Sequence, residues 1–380
     1  MTVHRVKSGE SLTRVAAEYG ISPIKLAAIN EIRTERLIEG EELLILRPTR
    51  TANVRRGESL DDLARRFGVK ESSLIAINPE LMGMGSVYDG QPIAIKYGSP
   101  EYGLGIGNGY LYRGTTKDQM MRALPYLSYV TFASCMVRRG GVSDIFDIKP
   151  HLELARAAAK PVMLRVWSDS EITDAELMCE LTNKASSMGA LGVTLPASAI
   201  PDRCAEKYAE ILHGSGLKLI LEADAESVPS TIGEADMSVL FYDKIEKDPI
   251  PHFEDGELRA LSAYSEIHDP IRCFVNLSPF ALTGGKYIPK SVAREAILRS
   301  GARIEPVSGG CQRATVGKGS RKREWIMESK ENTIKKLKSI SELGFYGIAF
   351  DIARTHISDL MAFRVMFSES IGMVQKNRAT

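Results

Sequence analysis

Several carboxylates directly follow short apolar segments of the sequence. If these segments are buried strands, the carboxylates lie at one edge of a sheet. They are Glu222, Asp224, Asp243 and Asp351. A positioned carboxylic acid can give or take a proton at a reacting bond. Arg165 and Trp167 end another such segment. Carboxylates at strand ends are also common as solvated loop and helix-cap residues, and no spacing singles out an acid–base pair.

Metal and thiol chemistry finds little support in the sequence. Four histidines share no HxxxH or HxH spacing, namely His213, His252, His268 and His356. The five cysteines are scattered without a CxxC motif, so neither a zinc site nor a disulfide framework is indicated. Cys135 has no recognisable base near it in the sequence and is expected to be a packed thiol. We therefore expect no metal and no cofactor.

Composition narrows the possible partners. The 380 residues hold 49 Lys+Arg and 48 Asp+Glu, a net charge of +1. This balance gives no electrostatic reason to expect nucleic-acid binding. No run of about 18 apolar residues is present, so no membrane span is predicted. The chain enters a patterned strand at Val3 without the apolar core of a secretory signal, so synthesis in the cytoplasm is expected.

The first hundred residues contain a repeat. The segment VKSGESL (6–12) returns as VRRGESL (54–60), an offset of 48 that also relates Asn30 to Asn78. Each copy predicts a strand, two short amphipathic helices and a closing strand. A serine after each Gly-Glu pair is a suitable helix N-cap. Residues 1–48 and 49–98 are therefore expected to be two small βααβ modules.

The repeat closely resembles the LysM module, across residues 3–46 and 51–97. The motifs are VKSGESL, VAAEYG, LAAIN and IEGEELLIL in the first copy, and VRRGESLDDLARRFG, LIAINPEL and YDGQPIAI in the second. The resemblance implies binding of N-acetylglucosamine glycans, peptidoglycan or chitin, between the Gly-Glu-Ser turn and the loop after the second helix. The implied binding residues are Gly9, Glu10, Ser11, Leu12, Ile29, Asn30, Gly57, Glu58, Ser59, Leu60, Ile77 and Asn78. A competing interpretation places the four aliphatic residues mainly in the module cores. Two modules in series would raise avidity for a polymer.

Residues 99–380 alternate between apolar strands and amphipathic helices. The predicted strands span 104–112, 128–134, 161–167, 191–195, 217–222, 237–242, 271–276 and 346–350. The predicted helices span 116–125, 149–159, 171–187, 202–213, 256–266, 330–343 and 356–367. Eight short apolar strands over this length indicate an α/β fold, a (β/α)8 TIM barrel. A small α+β insertion with one helix and two or three strands is expected at about 284–329, and its basic run 318–323 is expected to be a solvated hairpin.

The combination resembles glycoside hydrolase family 18 and its spore-associated cortical-fragment-hydrolysing N-acetylglucosaminidases. The likeness is carried by NGYLYRG, AKPVMLRVWS, VLFYD and the run REWIMESKENTIKKLKSISELGFYGIAF. It implies a peptidoglycan partner and synthesis in the mother cell. It also implies deposition on the spore coat or cortex, with coat proteins as further partners.

The family's DGxxxDxE motif does not recur at the expected strand. The resemblance aligns the two Asp positions with Leu191 and Pro196, and the acid with Ser198. A serine hydroxyl does not protonate a glycosidic oxygen at ordinary pH. Asp351 stands where the family has a tryptophan on the eighth strand, whereas Trp325 matches a family tryptophan.

Two hypotheses follow. The first is a glycan-binding protein with a catalytically inactive barrel, whose groove could still hold sugar. The second is a divergent glycosidase that uses a relocated acid. The groove residues that either would use are Tyr242, Asp243, Asp351, Glu222 and Trp325.

Overall fold

The computed structural model describes residues 1–82, 84, 86–98, 102–138, 141–242, 253–277, 281–317, 319 and 322–369. Both repeats fold as predicted, each with two helices between two antiparallel strands. Module 1 consists of β1 (Thr2–Arg5), α1 (Leu12–Tyr19), α2 (Pro23–Ile29) and β2 (Glu42–Ile45). Module 2 consists of β3 (Arg50–Asn53), α3 (Leu60–Phe67), α4 (Glu71–Ile77) and β4 (Pro92–Lys96).

The first helix of each module begins and ends at equivalent residues. Ser11 and Ser59 are the N-caps, and their hydroxyls accept hydrogen bonds from backbone N–H groups three residues on. Gly20 and Gly68 end the helices with φ of 65° and 66°, a left-handed conformation that favours glycine. The repeated Ser and Gly positions therefore set the same helix length in both modules.

The remaining strands and helices follow in chain order. The strands are β5 (Tyr102–Gly105), β6 (Gly107–Leu111), β7 (Tyr129–Arg138), β8 (Gly141–Asp144), β9 (Val162–Ser168), β10 (Gly192–Pro196), β11 (Lys218–Asp224), β12 (Met237–Phe241), β13 (Cys273–Asn276), β14 (Ala281–Thr283), β15 (Lys286–Ile288), β16 (Ile304–Val307), β17 (Cys311–Val316), β18 (Arg323–Glu328), β19 (Gly347–Asp351) and β20 (Phe367–Glu369). The helices are α5 (Lys117–Ala123), α6 (Lys149–Ala157), α7 (Ala175–Met188), α8 (Asp202–His213), α9 (Phe253–Ile267), α10 (Lys290–Ser300), α11 (Lys330–Glu342) and α12 (Ile357–Met366).

Eight parallel strands close into a barrel, which confirms the predicted fold. Their order is β6-β7-β9-β10-β11-β12-β13-β19, and β19 pairs with β6 to complete the ring. A helix follows most strands, but a 3₁₀ turn at Ser230–Glu234 is the only helical element between β11 and β12. Aromatic and aliphatic side chains fill the barrel interior, among them Tyr110, Met163, Ile220 and Phe274.

The insertion is larger than the sequence predicts. Its antiparallel sheet has five strands in the order β15-β14-β18-β17-β16 and begins at Ala281. The helix α10 packs on this sheet through Ala293 and Ile297. The strands β14 and β15 have three residues each, too few to show an alternating pattern in the sequence.

Both modules pack directly on the rest of the molecule. Ala76 and Tyr97 of module 2 belong to the same buried apolar cluster as the barrel helices. Ile38 of module 1 belongs to the cluster of the insertion, and Ile304 N–H donates to the Glu39 carbonyl at 2.8 Å. Within the described residues, no helix has the length and apolar character needed to cross a bilayer.

Candidate functional site

The end of β10 presents a proline and a serine at the mouth of the barrel. Pro196 lies opposite Glu222 in the parallel register of β10 and β11. Ser198 follows in a 3₁₀ turn and is exposed. Leu191 precedes the strand and is half-buried. These positions offer one hydroxyl and no carboxylate.

Glu222 is held by an arginine inside the barrel. Its carboxylate accepts from Arg165 Nε at 3.0 Å and lies 2.9 Å from Arg165 Nη2. The two side chains are only 6% and 8% exposed. The guanidinium also stacks 3.3 Å from the ring centroid of Trp167. The oxygens of Glu222 accept charge-assisted hydrogen bonds from the guanidinium, so this carboxylate is already engaged inside the barrel.

Asp351 ends β19 and is buried. One carboxylate oxygen accepts from Ala353 N–H at 2.9 Å, and the other lies 3.3 Å from Arg354 Nε. Burial raises the pKa of Asp351, although Arg354 opposes this shift. Arg354 in turn lies 5.2 Å from the ring centroid of Tyr287 on the insertion strand β15. The insertion therefore contacts the rim of the barrel beside Asp351.

Among the residues that the structure describes, the other groove and strand-end candidates do not form an acid–base pair. Asp224 caps its own turn by accepting from Glu226 N–H at 2.8 Å. The Tyr242 hydroxyl donates to Glu226 at 3.4 Å. Asp243 lies outside the described residues. Trp325 packs against the apolar cluster of the insertion.

Two tyrosines at the mouth were not among the predicted site residues. Tyr110 is buried beside Glu222, and burial followed by that carboxylate raises the pKa of its hydroxyl. Tyr112 lies 6.0 Å from Tyr110 and 6.3 Å from Trp167 between ring centroids. The two tyrosines are two residues apart in NGYLYRG, a spacing that puts side chains on one face of a strand. This spacing could have identified both as candidate site residues from the sequence.

In the modules, the predicted glutamates stabilise the turns. Glu10 accepts from Lys7 N–H at 2.8 Å and pairs with His4 at 2.9 Å. Glu58 accepts from Arg55 N–H at 2.8 Å and pairs with Arg66 at 3.1 Å. In both modules the carboxylate holds the backbone that leads into the first helix.

The predicted asparagines join the second helix to the closing strand. The Asn30 amide donates to the carbonyls of Leu26 and Leu44 and accepts from Leu44 N–H, at 2.8–3.0 Å. Asn78 makes the same three contacts with Leu74 and Ala94. Both side chains are buried.

The remaining predicted module residues divide between surface and core. Gly9 and Gly57 are exposed with φ of 76° and 74°. Leu12 and Ile29 are buried, whereas Leu60 and Ile77 are half-buried. The exposed backbone of the two Gly-Glu-Ser turns is therefore the most accessible part of the predicted binding set.

Metal-ligating side chains do not cluster in the part of the chain that the structure describes. Its cysteines are free thiols, and burial raises the pKa of Cys135 to about 12. A thiol in that state is a weak nucleophile at neutral pH.

Comparisons with known proteins agree with this architecture. The LysM domain family matches residues 4–45 and 53–96. No curated protein sequence matches the chain. The spore cortex-lytic enzyme SleL of Bacillus megaterium QM B1551 superposes with a TM-score of 0.73 at 14% identity, over 97% of this chain and 98% of that one. SleL of Bacillus cereus gives 0.70 at 15%, over 97% and 99%.

A chitinase from Chromobacterium violaceum ATCC 12472 superposes with a TM-score of 0.57 at 14% identity, over 69% of this chain and 98% of that one. Its coverage of the present chain is smaller than that of the two cortex-lytic enzymes. The chain thus consists of two LysM domains followed by a closed eight-stranded barrel with the fold of spore cortex-lytic enzymes and class V chitinases.

Proposed function

We propose that the protein binds an N-acetylglucosamine polymer, such as peptidoglycan, through its LysM domains, and that its barrel does not hydrolyse the bound glycan. The observation that carries the proposal is the combination of two LysM domains with a barrel mouth where Glu222 and Asp351, the two candidate acids described there, are already engaged. LysM domains are small glycan-binding modules, and both Gly-Glu-Ser turns of this chain are accessible to a long ligand.

The chemistry of the barrel mouth supports the absence of hydrolysis. Cleavage of a glycosidic bond needs a proton donor at the leaving oxygen and a group that stabilises the positive charge on the sugar. Ser198 supplies a hydroxyl where the family acid is expected, and Pro196 supplies no side-chain donor or acceptor. The carboxylate of Glu222 is engaged by hydrogen bonds from Arg165. None of these three residues supplies the missing proton.

The spore setting belongs to the same proposal. Two proteins that align with this chain over nearly its whole length are described as spore cortex-lytic enzymes. We infer that this protein also associates with the spore cortex or coat, where coat proteins are further candidate partners.

Sedimentation with insoluble glycan tests the binding. The chain should pellet with purified peptidoglycan, and Gly9→Val with Gly57→Val should weaken this, because a β-branched residue strains the left-handed turns. Gly216→Val is the matched control, since Gly216 has φ of +70° in an open turn outside the modules. If the double variant and the control pellet equally, the Gly-Glu-Ser turns are not part of the binding surface.

A second candidate function is a divergent glycosidase that uses Asp351. It is favoured by the burial that raises the pKa of this carboxyl, as a general acid requires. New reducing ends released from muropeptides, and lost in Asp351→Asn, would establish it and overturn an inactive barrel. In the variant Trp325→Phe, Trp167 is the single tryptophan. The fluorescence emission of Trp167 would then also report a sugar that enters the barrel mouth.

A further inference from the structure

Three buried ionisable side chains meet where the insertion joins the barrel helices. Glu257 lies on α9, Glu328 ends the insertion strand β18, and Lys336 lies on α11. The Lys336 ammonium is 3.3 Å from Glu257 Oε2 and 3.0 Å from Glu328 Oε1. Each of the three side chains is 9% exposed or less. We call these residues the buried triad; none of them belongs to a LysM module or to the groove candidates.

The charges of the buried triad do not balance. Two carboxylates share one ammonium, which leaves the ionised triad with an excess negative charge, a costly state away from water. Burial lowers the pKa of Lys336, but Glu257 and Glu328 outweigh it and raise that pKa overall. Cys311, the strand partner of Glu328, adds no charge, because burial followed by Glu328 raises the pKa of its thiol to about 12. The triad therefore lacks one further positive charge.

Two buried oxygen atoms at the triad also lack a donor. Glu328 Oε2 and Asn332 Oδ1 are inaccessible, and no donor from the described part of the chain reaches either of them. Asn332 is 2% exposed, and its Nδ2 donates to Glu328 Oε1 at 2.8 Å, which fixes the orientation of its amide. A buried acceptor without a donor is unfavourable. Metal-ligating side chains do not gather at any place among the described residues, so these oxygens favour a proton as the missing charge.

The hydrogen bonds indicate which carboxylate takes up the proton. Glu328 Oε1 accepts from Asn332 Nδ2 and from Lys336 Nζ, whereas the contact of Glu257 with Lys336 is longer. Hydrogen bonds to a carboxylate favour its ionised form, so the better-bonded Glu328 stays ionised. Burial raises the pKa of Glu257 to about 7; Lys336 opposes this shift and Glu328 adds to it.

We propose that the buried triad is a proton-binding site, in which Glu257 is a neutral carboxylic acid in mildly acidic solution and ties α9 to the base of the insertion. As the pH rises through about 7, Glu257 loses this proton, and an uncompensated charge then lies between α9, α11 and β18. The stability that the proton contributes is lost in the same direction, because the unfolded chain binds the proton less tightly. The insertion is therefore held less firmly on the barrel helices in alkaline solution. This inference does not depend on glycan binding.

Infrared difference spectra between about pH 6 and about pH 8.5, on either side of the titration, test where the proton lies. The band of a protonated carboxyl group should be present in the wild type at the lower pH, disappear at the higher pH, and be missing from Glu257→Gln. Glu266→Gln is the matched control and should keep the band, since Glu266 is exposed on the same helix. Burial also raises the pKa of Asp351, but Asp351 is present in all three proteins. A wild type without a titrating band, or a Glu257→Gln protein that keeps the whole band, would overturn the proton site.

Amide hydrogen exchange tests whether the proton holds the insertion. After correction for the intrinsic pH dependence of exchange, amides of α9 and β18 in the wild type should exchange about tenfold faster at the higher pH. Those of Glu257→Gln should keep the same protection at both pH values, because glutamine does not titrate, and Glu266→Gln should follow the wild type. Equal protection of the wild type at both pH values would contradict the proposal. If Glu257→Gln does not fold, the wild-type spectra and exchange rates alone decide.

Discussion

Arg165 reaches from β9 past β10 to β11, where Glu222 accepts hydrogen bonds from its Nε and lies beside its Nη2. Both side chains are nearly inaccessible, so each charge depends on the other for solvation. Removing one partner of such a pair leaves the other charge buried and uncompensated. Glu222, one of the four carboxylates that the sequence places at strand ends, is therefore also a candidate for a large stability effect.

Glu222→Gln is expected to lower the free energy of unfolding by about 3 kcal/mol, because the guanidinium of Arg165 loses its buried counter-charge. The double variant Arg165→Met with Glu222→Leu should recover most of that loss, since an apolar pair needs no counter-charge. Urea unfolding followed by circular dichroism measures both. Glu295→Gln, in an exposed pair with Arg299, is the control and should change little. A Glu222→Gln protein of full stability would return Glu222 to the list of candidate acids.

The sequence locates such acids but not their partners. Glu222 and Asp351 could be placed at strand ends from the apolar segments before them. Arg165 lies 57 positions from Glu222, and the two meet only because β9, β10 and β11 are neighbours in a closed barrel. Exposure and pairing at the mouth depend on that closure, so they could not be inferred from spacing along the chain.

Among the elements, six of the eight predicted barrel strands agree with the structure within two residues at each end, whereas β6 begins three residues later and β7 ends four residues later than predicted. The helix α8 spans Asp202–His213, the same range that the sequence predicts. Short or context-dependent elements escaped prediction. The strand β8 (Gly141–Asp144) pairs back on β7 as a hairpin, and β20 pairs with β5 from the opposite end of the barrel domain. Pairing of distant segments leaves no local pattern.

The asparagine after the second helix of each module fixes that helix to the closing strand. Asn30→Ala should lower the stability of module 1 by about 3 kcal/mol, because Leu44 loses the partners of both its N–H and its carbonyl in a buried place. Thermal unfolding measures the loss. Asn53→Ala, at an exposed strand position, is the control. Weaker glycan binding with unchanged stability would instead show that Asn30 contacts the ligand directly, as the LysM resemblance implies.

At the scale of the whole molecule, contacts between ionisable side chains join module 1 to the barrel and the insertion. Glu31 pairs with Arg122 and His356, both at 3.1 Å. Arg294 of the insertion pairs with Glu41. The most distant of these pairs, Glu31 and His356, lies 356 − 31 = 325 positions apart along the chain, so no local sequence pattern predicts these contacts. They also hold module 1 against the barrel and the insertion.

His356 makes this junction sensitive to pH. Its Nδ1 accepts from Ser358 N–H at 3.2 Å as the N-cap of α12, which leaves the proton on Nε2, 3.1 Å from Glu31. Burial, followed by Lys330, Lys290, Arg294 and Arg122, lowers the pKa of His356 well below 6.5. The folded protein therefore keeps a neutral ring where the unfolded chain takes up a proton. Stability contributed by His356 is complete above pH 6.5 and is lost as the pH falls below it.

The loss should approach about 1.4 kcal/mol per pH unit below pH 6.5. Urea unfolding of wild type and His356→Asn at several pH values between 7.5 and 5 measures it, since asparagine can cap the helix but does not titrate. Burial also raises the pKa of Glu31. Protonation of Glu31 therefore favours the folded state and opposes the loss of stability as the pH falls. Glu31 is present in both proteins, and the comparison between them isolates the histidine. As the pH falls, the free energy of unfolding of the wild type should decrease faster than that of His356→Asn. Parallel curves would mean that His356 takes up its proton in the folded state, paired with Glu31 across the junction.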